Sequence, residues 1–208
     1  MDKLPGAQED LRFLLDRGYR KEYALKFVGD HHNLLLKERN LLFRQTYSQR
    51  EIQVTLSKLK PTEFITGRHL VIDGFNVLIT IEHAMANGEV FLCQDGLVRD
   101  NVAAFSNYKI KESTRKAADK VIEILVKCPP KDICWVFDSQ ISGSGTLSQY
   151  VMKRLSEEKL QGESITSPTA DHQISKLNLL TATSDSALID RLVRVVDLPA
   201  AVLEIEKE

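Results

Sequence analysis

Val71-Ile72-Asp73-Gly74-Phe75-Asn76-Val77-Leu78 is the stretch on which the reading of this chain turns. Leu70, Val71 and Ile72 form the short apolar, β-branched run that a central parallel strand needs. Asp73 closes the run, Gly74 permits a sharp exit, and Asn76 is placed to cap the apolar helix that follows. In open α/β sheets, groups at the carboxyl ends of strands face a shared crevice where ligands bind. Asp73 is therefore expected at a site, not in a core.

The same grammar, an apolar strand and then an acid, recurs twice. Ile133-Cys134-Trp135-Val136-Phe137 ends on Asp138, and Leu179-Leu180-Thr181-Ala182-Thr183 runs through Ser184 to Asp185. Asp171 stands in the first turn of a helix predicted from Pro168-Thr169-Ala170, with Thr169 as its cap. Helix starts and strand ends share one edge of a parallel sheet, so Asp73, Asp138, Asp171 and Asp185 are expected to converge. Crowded carboxylates raise one another's pKa unless a cation neutralises them. A hard divalent ion, Mg2+ or Mn2+, binds through a few carboxylates and keeps water and phosphate as its other ligands. Taken singly, each acid could be an ordinary helix cap.

Outward from these strands, residues 68–208 read as an α/β domain with a doubly wound, mainly parallel sheet. Helices are predicted over Asn76–Ala86, Leu97–Phe105 (with Arg99 and Asp100 exposed), Glu112–Lys127, Thr146–Leu160 and Ala187–Leu192. Further strands are predicted at Val90–Cys93, Gly162–Ser167 and Val193–Val196. Residues 1–62 read as an all-helical domain with helices over Ala7–Arg17, Lys21–Val28 and Leu35–Tyr47, stopped by Gly18 and Gly29 at the first two ends. Its last two helices are compatible with a helix-turn-helix-like unit, nucleic-acid-binding or regulatory. Tyr23 and Phe27 are expected to face inward. His31 and His32, being adjacent, are expected to point apart in a loop and not to act as paired metal ligands.

The net charge is −1, but residues 1–69 carry 13 Lys and Arg against 9 Asp and Glu, and residues 70–208 carry 15 against 20. A basic front and an acidic back suit an anionic polymer meeting a cation-loaded carboxylate site. Lys37, Arg39, Arg44, Arg50, Lys111 and Arg115 are the candidate phosphate contacts. The solvated face of an amphipathic helix is the simpler explanation of any one of them. No run has the length of a membrane span, no apolar leader opens the chain, and Cys93, Cys128 and Cys134 share no metal-binding spacing. A cytoplasmic protein with reduced thiols is expected, with no membrane partner.

Val71-Ile72-Asp73-Gly74-Phe75-Asn76, Trp135-Val136-Phe137-Asp138, Thr169-Ala170-Asp171-His172-Gln173-Ile174 and Thr181-Ala182-Thr183-Ser184-Asp185 resemble, in order and spacing, the motifs of the PIN/NYN nuclease superfamily. The resemblance covers about residues 69–200. The helical front resembles that of prokaryotic proteins which couple a small helical domain to a PIN-like domain. The resemblance implies a PIN-like fold and a Mg2+- or Mn2+-dependent endoribonuclease acting on RNA, with a homodimer left open. It maps Asp73, Asp171 and Asp185 onto the metal-binding acids and Asp138 onto the strand-end Asp of the NYN branch. It gives Asn76 the task of holding the first carboxylate or a water, and Ser184 or Thr183 that of orienting the last. The chain departs from the pattern at the acid that many PIN domains carry after the first strand. Glu82, Asp95 and Asp100 are the candidates, and Asp95 and Asp100 are preferred. A non-catalytic RNA-binding scaffold on the same fold is the alternative.

Overall fold

The computed structural model describes residues 3–101 and 108–205. Four helices open the chain: α1 (Leu4–Asp16), α2 (Lys21–His31), α3 (Leu36–Gln45) and α4 (Gln49–Lys58). The first three close around Ala7, Leu11, Ala24, Val28, Leu34 and Leu42. α2 runs through Gly29 rather than stopping there. A Cβ at that position would meet the Arg39 guanidinium at 2.7 Å, so the glycine makes room for a side chain of α3. Tyr23 and Phe27 face solvent, contrary to expectation, because Ala24 and Val28 supply the buried stripe. The sequence pattern did not reveal α4; its apolar stripe is thin, and it is held by a capping box between Ser48 and Glu51.

The remainder is a six-stranded, all-parallel sheet in the order β1-β8-β7-β2-β5-β6. The strands are β1 (Leu59–Lys60), β2 (His69–Asp73), β5 (Asp132–Asp138), β6 (Gly162–Ser167), β7 (Leu180–Ala182) and β8 (Arg194–Val196). Leu59 and Lys60 lie on the helical side of the expected boundary, yet they extend the sheet by pairing with Val195 and Val196. One face of the sheet packs on α5 (Gly74–Met85), α6 (Glu112–Lys127), α7 (Ser144–Glu157) and α10 (Leu198–Val202) through Leu70, Ile72, Trp135, Phe137 and their neighbours. The other packs on α8 (Ala170–Leu177) and α9 (Ser186–Ile189) through Val71, Val136, Ile174, Leu188 and Val195. Both faces are covered, which is why the strands read as continuous apolar runs.

The chain leaves β2 toward β5 and β6, then returns to β7 and β8 on the other side. The direction of winding therefore reverses at β2, which opens a crevice at its carboxyl end. Gly74 begins α5 directly after Asp73 without a loop. Its special role is a close approach: an added Cβ would press into the Phe137 ring and sit 2.9 Å from the Val136 carbonyl oxygen.

The helix expected over Leu97–Phe105 is not formed in its described part. β3 (Val90–Leu92) and β4 (Val98–Asp100) make an antiparallel hairpin turning at Gly96, whose φ is +79°. Residues 102–105 of that expected helix lie outside the described residues. Arg99 and Asp100 are buried, not exposed. The hairpin is gripped between the two parts of the chain, with Phe91 and Cys93 packed on Tyr47 and Ile52. Lys58 Nζ also donates to the carbonyls of Ile189 and Asp190, at 2.9 and 3.1 Å. No helix among the described residues is long and apolar enough to cross a membrane.

Candidate active site at the carboxyl edge of the sheet

Strand register decides which acids can meet. Asp73 pairs with Val136, and Asp138 stands two residues further along β5. Alternate residues share a face, so Asp73 and Asp138 both project to the α8–α9 side, as Val71 and Val136 do. Ile72 pairs with Ala182, which brings Thr183 level with Asp73. Thr183 Oγ1 donates to Asp73 Oδ2 at 2.8 Å.

Asn76 does not cap α5. That helix already begins at Gly74, and Asn76 lies in its first turn. Its Oδ1 accepts from the Ser184 N–H at 2.8 Å and from Ser184 Oγ at 3.0 Å, tying the start of α5 to the end of β7. Asp185 N–H donates to Thr183 Oγ1 at 3.2 Å, and Asp185 Oδ1 accepts from the N–H groups of Ala187 and Leu188. Asp185 is thus the N-cap of α9 while it faces the crevice. Asp138 Oδ1 accepts from the Gln140 N–H at 2.8 Å. Thr169 occupies the N-cap position of α8 but makes no side-chain cap bond.

The acids act on one another. Burial pushes the Asp73 carboxyl up to about 7, and the charges of Asp171 and Asp185 push in the same direction; Thr183 and a backbone bond from Asn76 oppose them. Asp171 is also raised, by burial and then by Asp185, with Asp138 adding to the effect and Arg191 opposing it. The four acids named from the sequence therefore form one electrostatic group. Their spacing is open: among the described residues, no three of them bring ligand oxygens within 4.8 Å of one another. A divalent cation at this edge would have to be bound largely through water. Such an ion would be held by Asp73, Asp171 and Asp185, some of them through water.

The other candidates divide. Asp95 accepts both arms of the Arg99 guanidinium at 2.7 Å and is fully buried in that pair, so it is a structural acid. Arg99 also donates from Nε to the Ser184 carbonyl at 3.0 Å, which fixes the loop carrying Asp185. Nothing in the sequence marked Arg99 for this task, since the contact spans 85 residues. Asp100 accepts from Thr80 Oγ1 at 2.6 Å and lines the cleft beside Asn76 and Asp185. Glu82 is buried under Ser113, Thr114 and Tyr108, all of which donate to it.

That cleft has a volume of about 410 Å³ and is closed on its far side by the helical unit, through Lys21, Phe43, Arg44, Tyr47 and Glu51. Lys21 Nζ lies 4.0 Å from the centre of the Tyr47 ring. Burial lowers the Lys21 ammonium to about 8, with Arg99 lowering it further and Glu51 opposing. Of the expected phosphate contacts, Arg44 reaches this cleft, whereas Lys37 and Arg50 are exposed elsewhere on the helical unit. Arg39 is a structural residue, bound to Asp30 at 2.8 Å and to the Leu34 carbonyl at 2.9 Å. Arg115 pairs with Glu112 at 3.5 Å, and Lys111 is the exposed N-cap residue of α6, a helix that packs on α5, α7 and α10.

Residues 62–201 match the family described as a domain of unknown function, DUF5616. The chain belongs to that family. Residues 3–58 match a second family, described as a protein of unknown function, DUF434. An uncharacterized protein of Methanocaldococcus jannaschii is 35% identical over 204 residues, a span covering 97% of each chain. No solved structure matches the chain. The two family matches meet at residues 59–61, where β1 leads the helical unit into the sheet.

Proposed function

We propose that this chain is a Mg2+- or Mn2+-dependent endoribonuclease of PIN/NYN type, with its reaction centre at Asp73, Asp171 and Asp185 and with Asp138 at the rim. The observation that carries the reading is the placement of these carboxylates at the switch point of a parallel sheet, where burial first and their neighbours' charges second raise Asp73 and Asp171. When bound, the divalent ion supplies positive charge to the acids and the phosphate and activates the attacking water. The residues of the chain do the rest. Thr183 holds one oxygen of Asp73 and leaves the other for the cation. Asn76 and Arg99 hold Ser184, and so the approach to Asp185. The water oxygen bonds to phosphorus as one ester P–O bond breaks, and the proton that the water gives up is made good on the leaving oxygen through solvent. The three cysteines are unbridged, in keeping with a reducing cytoplasmic setting.

The test is cleavage of single-stranded and structured RNA with Mn2+ by the wild type, Asp73→Asn and Asp185→Asn. The variants are expected to lose activity by on the order of a hundredfold or more. Equal rates in all three would sink the assignment. Mn2+ is also expected to raise the unfolding temperature of the wild type and not that of Asp73→Asn, because a ligand of the folded state stabilises it.

A second reading, a non-catalytic RNA-binding scaffold, draws on the open spacing of the acids and on the loss of Asp95 to an ion pair. Binding that weakens steeply with salt, without metal-dependent turnover, would favour it.

A further inference from the structure

The two adjacent histidines do not point apart. His31 is the last residue of α2 and His32 is its C-cap, with φ −84° and ψ 1°, so the chain leaves the helix between them. Their rings stand edge to face, 5.0 Å apart at 87°. Asp10 reaches across from α1, and its Oδ2 lies 2.7 Å from His32 Nε2. One ligand atom from each of Asp10, His31 and His32 lies within 4.8 Å of the other two, a grouping found nowhere else among the described residues.

We propose that Asp10, His31 and His32 form a binding site for a borderline transition-metal dication of the zinc type, clipping α1 to the end of α2 and separate from the acid edge. Two imidazole nitrogens and one carboxylate oxygen are the donor set such an ion prefers, and Mg2+ does not prefer it. The His32–Asp10 spacing is close to what is needed, and His31 offers a ligand atom within 4.8 Å of both. Tetrahedral bonds of zinc length put neighbouring ligand atoms about 3.3 Å apart, so the His32–Asp10 contact has to open by only about 0.6 Å. The proton shared across that contact leaves to solvent as the ion takes its place. The α2 C-terminus adds carbonyl dipoles that favour a cation there. An ion pair of His32 with Asp10 accounts for the 2.7 Å contact alone. It does not account for His31, which the fold brings to the same point while leaving it exposed. Three protein ligands leave a fourth position for water.

The experiment is a Co2+ titration of the tag-free full chain, followed by visible absorption and then by Zn2+ competition. It is run in the wild type and in an Asp73→Asn background that weakens the acid edge. One equivalent of Co2+ is expected to bind in both, with an absorption band of tetrahedral intensity that Zn2+ abolishes. His31→Ala, which removes an exposed side chain, and Asp10→Asn are each expected to weaken binding at least tenfold. Zn2+ is expected to raise the unfolding temperature of the wild type but not that of His31→Ala. Co2+ binding that survives His31→Ala unchanged, that disappears with Asp73→Asn, or that is absent altogether would overturn the proposal.

Discussion

Two acids of this protein, Asp95 in the turn of the hairpin and Asp73 at the end of β2, have opposite fates. Asp95 is held by both arms of Arg99, and the pair is buried together. Asp73 is raised to about 7 by desolvation and then by the repulsion of two more carboxylates, against a threonine hydroxyl and a backbone bond. A buried charge that has found its counter-ion belongs to the architecture. One surrounded by like charges marks a candidate functional site. Arg99 joins the two regions, since the cation that neutralises Asp95 also anchors Ser184 beside Asp185.

The comparison breaks most visibly at Arg99. Arg99→Leu leaves Asp95 buried and unpaired, and is expected to cost about 3–5 kcal/mol in denaturant unfolding. A loss below about 1 kcal/mol would mean that water reaches Asp95 and that the pair is not structural. The opposite sign is expected at the acid edge. Asp73→Asn should stabilise the metal-free protein by about 1–2 kcal/mol, less than the full shift implies because solvent enters the mouth of the crevice.

The pH dependence follows from the same residue. Asp73 titrates near 3.8 when unfolded and near 7 when folded, so the folded state favours its protonated form. Its contribution to stability is complete below about pH 4 and is lost as the pH rises to about 7. Unfolding free energies measured across that window should fall more steeply in the wild type than in Asp73→Asn. Saturating Mn2+ should remove the difference by favouring the carboxylate.

Two smaller effects sharpen the picture. Thr183→Val removes the bond that favours ionised Asp73, so the midpoint of an NMR titration of Asp73 should move above about 7. A downward move would mean that the threonine is not its partner. Asp185→Asn keeps a good helix cap and relieves its repulsion of Asp73 and Asp171, so metal-free stability should hold or rise, by about 0.5 kcal/mol, even as metal-dependent activity falls. A loss much larger than this would place Asp185 with Asp95 as a structural acid.

Much of this was legible in the sequence. The runs ending at Asp73, Asp138 and Asp185 gave a parallel sheet because strands covered on both faces must be apolar throughout. Their terminal acids then had only one edge on which to meet. The Val90–Leu92 and Val98–Asp100 hairpin was misread as a strand followed by a helix. Its apolar residues pack on Tyr47 and Ile52, distant in sequence, and local periodicity carries no trace of that contact.

The sequence by itself determined the alternation of strands and helices, the helical front, and the order in which the acids appear. Those depend on side-chain period and local backbone preference, which neighbouring residues set among themselves. Only the tertiary structure decided that Asp95 is neutralised while Asp73 is not, that Arg99 holds the loop of Asp185, and that His31 and His32 meet Asp10. Charge pairing is settled by distances across dozens of residues, and a one-dimensional pattern does not contain those distances.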